Sequence, residues 1–165
     1  MSVLESSENT IQVLSSSPTW VSLAVPCRME NVDAVLSMLE PRGGELLESR
    51  KHEELCTAVR EMLMNAIEHG GENDPDRTVH IACVVTHDAV LVQIQDPGAG
   101  FTGKDLQHAA IGNPENGNQI EHLEYRERHG IRPGGFGILM AQKLVDELIY
   151  NEKGNEVLLV KKLHG

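Results

Sequence analysis

The sequence RPGGFGILMAQKLVDELI, from Arg132 to Ile149, places three glycines directly before a helical pattern. A spacing of about 100° per residue puts one set of apolar side chains on one face of this helix: Ile138, Met140, Ala141, Leu144, Val145, Leu148 and Ile149. Glycine lets another group approach the backbone closely, and a helix N-terminus offers unpaired N–H groups and the positive end of a dipole. The stretch therefore predicts either an anion site at the start of a helix or a flexible loop that ends at one.

Length and composition indicate one globular domain. The chain has 165 residues, of which 40% are hydrophobic and 24% are charged, which is enough for one core. No apolar run approaches the length of a membrane span, and the N-terminus lacks the basic and apolar regions of a secretory signal. We therefore expect a cytoplasmic protein. The three cysteines form no CxxC motif, which argues against a disulfide framework or a zinc site.

The charge of the chain restricts its partners. A formal net charge of −11 argues against direct nucleic-acid binding, because phosphate backbones select basic surfaces. An anionic ligand would therefore have to be held by local features, such as backbone amides, one or two arginines, or a metal ion.

The order of predicted elements is strand, helix, helix, hairpin, long loop, helix and strand. The bounds are a strand at 19–26, helices at 28–40 and 45–69, strands at 77–87 and 89–96, and a strand at 155–163. This order predicts an α/β fold: a two-layer sandwich with about three helices on one face of a mixed, mostly antiparallel sheet. We expect residues 1–18 to be disordered and residues 19–165 to form one domain. Residues 101–133 are predicted to be a lid, since structureless loops beyond about 12–15 residues are often binding loops.

A polar stripe borders the apolar face of the long predicted helix, a face formed by Leu55, Ala58, Val59, Met62, Leu63, Ala66 and Ile67. Glu61, Asn65 and His69 are spaced four residues apart, one helical turn from each to the next. An asparagine oxygen can coordinate Mg²⁺, and a glutamate can take a proton from a nucleophile. A solvated helix edge would give the same stripe, and we assign no chemistry to His69.

Asp96 continues an apolar row. Strand alternation places Val90, Val92, Ile94 and Asp96 on one face, so a carboxylate is predicted where the row should meet the core. A buried carboxylate needs partners. Asp96 is therefore predicted either to cap the turn DPGAG through its own backbone or to accept a hydrogen bond from a ligand amino group.

Three motifs in this order resemble a known family. Glu61-x-x-x-Asn65 on a helix, DPGAGF after a strand and RPGGFG before a helix resemble the ATP-binding fold shared by gyrase, Hsp90, histidine kinases and MutL. Within it, ELCTAVREMLMNAIEH and RPGGFGILMAQKLVDEL resemble the bacterial anti-sigma factor serine/threonine-protein kinases. The resemblance covers Thr19 to Leu163 and implies a histidine-kinase-like ATPase fold. The segment NPENGNQIEHLEYRERHG departs from the kinase group, because it is long and acidic.

The resemblance implies a role for each motif in binding ATP and Mg²⁺. Asp96 would receive the adenine amino group, while Gly98 and Gly100 would let the turn approach the base. Asn65 would hold Mg²⁺, which bridges the phosphates.

The resemblance also implies the residues that contact the phosphates and the acceptor. The glycine-rich segment at the start of the third helix would present its backbone amides to the phosphates: Gly134, Gly135, Phe136 and Gly137. Arg132, together with Arg128, is placed to neutralise the transferring phosphoryl group. Glu61 would orient or deprotonate the acceptor hydroxyl.

The function implied by the resemblance is a kinase that phosphorylates a serine or threonine on an anti-sigma-factor antagonist, a small STAS-type domain. The same family binds a sigma factor and forms homodimers. Three alternatives stay open: an ATP-binding module that captures partners with little kinase activity, a detached catalytic domain of the histidine kinase type, and a switch-type kinase for a different, stressosome-like partner. The chain has no long dimerisation helix carrying an acceptor histidine, which counts against the second alternative.

Overall fold

Six strands assemble into one sheet in the computed structural model, which describes residues 10–43, 46–100 and 136–164. The strands are β1 Gln12–Ser17, β2 Trp20–Pro26, β3 Thr78–Val85, β4 Ala89–Gln95, β5 Glu147–Tyr150 and β6 Glu156–Lys162. They pair in the order β1-β2-β3-β4-β6-β5. Each pairing between these strands is antiparallel, so the sheet expected to be mixed is wholly antiparallel over the described strands. The predicted α/β fold is confirmed.

One face of the sheet carries the core. Ile81 of β3 lies opposite Leu23 of β2 and Ile94 of β4, and Ile94 lies opposite Val157 of β6. All four side chains are buried. Because successive strand residues point to opposite faces, this row identifies the face that the helices cover.

The helices form the second layer. They are α1 Asn31–Gly43, α2 Ser49–Asn65 and α3 Phe136–Leu144, and α2 continues into a π-helical turn at Ala66–Gly70. Helix α1 packs on β2 and β3, α2 packs on β4 and β6, and α3 packs along α2. The buried face of α2 is the predicted one, formed by Leu55, Ala58, Val59, Met62 and Leu63. None of the described helices combines the length and apolar character needed to cross a membrane.

Both N-terminal helices begin later than expected. Helix α1 starts at Asn31 because the preceding residues form a turn: the Arg28 N–H donates to the Pro26 carbonyl, and the Asn31 side chain donates to the same carbonyl at 2.9 Å. Helix α2 starts at Ser49, four residues after the predicted start.

The expectation of disorder over residues 1–18 is wrong from Gln12 to Ser17. These residues form the edge strand β1, paired with β2. Without β1, the N–H and C=O groups along one edge of β2 would lack partners. The strand is held mainly by its backbone and leaves most side chains exposed, so its serine-rich sequence gave no apolar alternation to predict it.

The predicted third helix is too long. Helix α3 ends at Leu144, and residues 147–150 form β5 instead, paired with the edge of β6. Leu148 lies opposite Leu159 on the core face, whereas Ile149 is 51% exposed, which is the alternation of a strand. Over four residues the helical and strand patterns can coincide, and here the free edge of β6 decided between them.

A buried lysine joins α2, α3 and β6. Lys161 occupies a core-facing position of β6 and is 6% exposed. Its Nζ donates to Glu54 Oε2 at 2.6 Å and to the Leu144 carbonyl at the end of α3 at 2.5 Å. A buried cation needs such partners. The hydrogen bond from Lys161 holds the pKa of the Glu54 carboxyl below its usual value of 4.5.

We predict that the stability lost in Glu54→Gln depends on pH. Because the folded-state pKa of Glu54 lies below its unfolded value, its contribution is present above about pH 4.5 and is lost as the pH falls through the folded pKa. Urea unfolding from about pH 7 to about pH 3 measures the free energy of unfolding of the wild type and of Glu54→Gln. The two free energies should differ most at neutral pH and converge in acid. The exposed neighbour provides the control, Glu53→Gln, which should follow the wild type throughout. A difference that stays constant into acid would contradict the role of the pair.

Candidate functional site

Asn65, the last residue of α2, has a buried amide without a hydrogen-bond partner. Its side chain is 8% exposed, and within the described part of the chain neither its Oδ1 nor its Nδ2 has a partner. A buried polar group left unpaired costs about 1–3 kcal/mol, so native structures contain few of them. Because a ligand could supply the missing partner, the Asn65 amide is a candidate ligand-binding group.

The helix widens immediately after Asn65. In the π-helical turn, the Gly71 N–H donates to the Ala66 carbonyl, five residues back, at 2.9 Å. Such turns within helices are rare and often lie at functional sites. The turn brings Gly70 against Asp96, since a Cβ on Gly70 would lie 2.1 Å from Asp96 Cγ. This position therefore has no room for any side chain.

The Asp96 carboxyl is half-buried at the end of β4. Its Oδ1 accepts a hydrogen bond from the Gly98 N–H at 2.8 Å, so the predicted capping of the turn DPGAG is present. Burial raises the pKa of Asp96, while the hydrogen bond from Gly98 and the charges of Arg77 and Lys153 oppose that rise. A carboxylate with one oxygen bonded in the turn can still accept from a ligand, because its two oxygens have four acceptor positions.

The two glycines after Asp96 are required by contacts with the protein backbone. A Cβ on Gly98 would lie 2.8 Å from Gly70 Cα. Gly100 has a φ of +85°, and a Cβ there would lie 1.8 Å from the Lys153 carbonyl oxygen in the β5–β6 turn. The turn DPGAG is thus packed directly on the π-helical turn and on the β5–β6 turn.

Two cavities are lined in part by Asp96. The first lies between α2 and the sheet, lined by Met62, Asn65, Ala66, Ile94, Asp96, Tyr150, Asn155, Glu156 and Val157. The second lies between the π-helical turn and the turn DPGAG, lined by His69, Gly70, Asp96, Gly98, Ala99 and Gly100.

The start of α3 lies against Glu61. A Cβ on Gly137 would lie 2.4 Å from Glu61 Oε2, so this glycine lets the helix approach the carboxylate closely. Glu61 lies one turn before Asn65 on α2. The fold therefore gathers at one end of α2 a carboxylate, an unpaired amide and the first turn of α3.

Several predicted site residues lie outside the described part of the chain. These are Arg128, Arg132, Gly134 and Gly135, together with the lid at 101–133. Phe136 is the first residue of α3, and nothing is described of its side chain. Their predicted roles stay predictions.

Sequence reasoning missed three residues around Asp96. Gly70 directly follows the predicted end of the long helix at residue 69, and the dipeptide Gly70-Gly71 could have indicated a close backbone contact. Arg77 donates from Nη2 to the Pro97 carbonyl at 3.1 Å and so supports the turn DPGAG. Tyr150 lines the first cavity, and it was missed because β5 was taken for helix.

Comparison with known proteins identifies the family. The family model for the histidine kinase-like ATPase domain matches residues 25–161. The chain belongs to the histidine kinase-like ATPase domain family. Membership implies an ATP-binding domain, and it confirms the resemblance drawn from the three motifs.

Curated relatives within the histidine kinase-like ATPase family carry the name anti-sigma F factor. The chain is 29% identical over 135 residues to the one from Oceanobacillus iheyensis, covering 80% of each chain. It is 26% identical over 137 residues to the one from Clostridium perfringens (strain SM101 / Type A), covering 81% of this chain and 84% of the relative. It is 30% identical over 133 residues to the one from Geobacillus sp. (strain WCH70), covering 79% of this chain and 78% of the relative.

We predict that Asn65→Leu stabilises the protein without ligand by about 1 kcal/mol, because it removes an unpaired amide and keeps a side chain of similar size. Asn31→Leu is the matched control, since its amide donates to the Pro26 carbonyl. The free energy of unfolding of that control should fall by about 1 kcal/mol. Urea unfolding measures both. Equal losses in the two variants would show that Asn65 is not an unpaired group.

Proposed function

We propose that this chain is an ATP-dependent serine/threonine-protein kinase that phosphorylates an anti-sigma-factor antagonist and also binds a sigma factor. One observation carries the proposal. The unpaired amide of Asn65 lies in a cavity with Asp96, and Glu61 lies one turn away against the start of α3. Family membership supports the binding of ATP, and the name of the relatives, anti-sigma F factor, supports the binding of a sigma factor.

Asp96 recognises the base in this proposal. Its carboxylate accepts a hydrogen bond from the adenine amino group while Oδ1 keeps the hydrogen bond from the Gly98 N–H. The contacts of Gly70 and Gly98 hold the carboxylate in place before ATP arrives, so little ordering is needed on binding.

Asn65 is the proposed protein ligand of Mg²⁺. Mg²⁺ prefers oxygen ligands and usually combines one or two protein groups with substrate phosphates and water. The unpaired, buried Oδ1 of Asn65 fits this requirement. Within residues 10–43, 46–100 and 136–164, no group of three or more His, Cys, Asp or Glu side chains could hold a metal ion, so a site shared with phosphates is the fitting type. Bound there, the ion would neutralise phosphate charge.

Glu61 is the proposed base. Its carboxylate orients the acceptor hydroxyl and takes its proton as the hydroxyl oxygen forms a bond to the γ-phosphorus. The bond from that phosphorus to the bridging oxygen breaks, and ADP leaves. Gly134, Gly135 and Gly137 donate backbone N–H groups to the phosphates at the start of α3, and Arg132 stabilises the charge on the transferring group.

The partners follow from the proposed activity. The antagonist is a STAS-type domain that supplies the acceptor hydroxyl, and a homodimer of this chain binds the sigma factor in the cytoplasm. Residues 19–165 act as one ATP-binding domain, and the segment 101–133 closes over the nucleotide as a lid.

We predict that the purified protein binds ADP and ATP saturably, and that Mg²⁺ strengthens binding. Asp96→Ala should abolish binding, because the base loses its acceptor. Asn65→Ala should remove the dependence on Mg²⁺, because the metal loses its protein ligand. Isothermal titration calorimetry with and without Mg²⁺ measures all three proteins. No binding by a folded wild type would refute the proposed function.

We predict that Glu61→Gln lowers the rate of phosphoryl transfer about 10²–10⁴-fold while leaving ADP affinity within about twofold. The glutamine keeps the shape of the side chain and cannot take a proton. The control is Glu53→Gln, an exposed change two turns earlier on α2. The assay follows phosphate transfer from labelled ATP to a STAS-type antagonist from the same organism. Undiminished transfer would mean that Glu61 is not the base, and no transfer by the wild type despite ATP binding would favour the partner-capture alternative.

A further inference from the structure

Tyr150 places a phenol on the core side of the sheet. It is the last residue of β5 and lies opposite Val157 of β6. Its neighbour Ile149 points to the other face and is 51% exposed. The side chain packs against the core and lines the cavity between α2 and the sheet, and its hydroxyl lies beside Met62, which lines the same cavity.

The hydroxyl of Tyr150 is weakly satisfied. Among the described residues, its hydrogen bond goes to Met62 Sδ at 3.7 Å. A thioether is a poor acceptor, whereas buried hydroxyls normally have a strong one. Burial, and secondarily the charge of Asp96, raise the pKa of Tyr150, so the hydroxyl keeps its proton and remains a donor at neutral pH. A partly buried donor with a weak partner can transfer its hydrogen bond to a ligand.

Polar side chains line this cavity at five positions. Two of them, Asn155 and Glu156, already accept hydrogen bonds from the side chains of Asn151 and Gln93. The other three are the unpaired amide of Asn65, the carboxylate of Asp96 and the hydroxyl of Tyr150. The remaining lining is apolar: Met62, Ala66, Ile94 and Val157. An apolar pocket with a few placed polar groups suits a flat aromatic ligand whose edge carries hydrogen-bonding atoms.

We infer that the Tyr150 hydroxyl donates a hydrogen bond to an adenine ring nitrogen. This nitrogen is next to the amino group that donates a hydrogen bond to Asp96. The inference rests on the proposed function, because it assigns a second base-recognising residue to the same site. Adenine presents a donor amino group at C6 flanked by two acceptor nitrogens, N1 of the six-membered ring on one side and N7 of the five-membered ring on the other. An acceptor in Asp96 beside a donor in Tyr150 matches this pattern. Guanine carries an acceptor oxygen at C6, which would face the Asp96 carboxylate without a hydrogen bond.

Tyr150→Phe tests the inference, because it removes the hydroxyl and keeps the ring. We expect ADP affinity to fall about fivefold to tenfold and the affinity for GDP to stay as weak as in the wild type. The urea midpoint without nucleotide should stay unchanged, since the lost hydrogen bond to sulfur is weak. Calorimetry with 1-deaza-ADP and 7-deaza-ADP then identifies the nitrogen. The analogue that lacks the contacted nitrogen should bind the wild type and Tyr150→Phe with equal affinity. The other analogue should lose as much affinity as ADP does when Tyr150 is replaced.

Two results would overturn the inference. One is a variant that binds ADP as tightly as the wild type. The other is an equal loss for ADP and for both deaza analogues, which would show that the hydroxyl acts through the structure of the pocket. Failure of the proposed function looks different, because the wild-type protein itself would then bind no ADP.

Discussion

The contact of Gly70 with Asp96 sets the geometry on which the candidate site depends. With no Cβ at Gly70, the π-helical turn and the turn DPGAG pack backbone against backbone, and the carboxylate lies between them. The Gly98 N–H then fixes the orientation of that carboxylate. A side chain at Gly70 would separate α2 from the end of β4, and with it Asn65 from Asp96. The absence of a side chain at Gly70 therefore allows elements that are distant in sequence to pack against each other.

The site retains polar groups that weaken the folded protein without a ligand. The amide of Asn65 has no partner among the described residues, Asp96 is half-buried, and the Tyr150 hydroxyl bonds to a sulfur atom. Elsewhere the fold satisfies such groups, as it does for Lys161, whose ammonium contacts Glu54 and the end of α3. The contrast marks this region as the candidate site, because an unsatisfied buried polar group in a native structure is often one that a ligand would complete.

Periodic segments with buried faces could be predicted from the sequence. The apolar faces of α2 and of β4 are long enough to select one pattern, and both were predicted correctly. The segments that failed are those whose structure depends on a neighbour. Strand β1 pairs through its backbone, and β5 completes the edge of β6. No local pattern in a short segment shows that a sheet edge needs a partner.

The sequence by itself determined the family and the fold class. Three motifs in a fixed order sit on elements whose periodicity is strong, and side-chain chemistry and spacing are local properties. The tertiary structure alone decided that the Asn65 amide is unpaired, that Gly70 touches Asp96 and that Tyr150 lines the same cavity. Each of these facts joins residues from separate elements. Their distances depend on how the turns after α2 and β4 pack, which no single segment specifies.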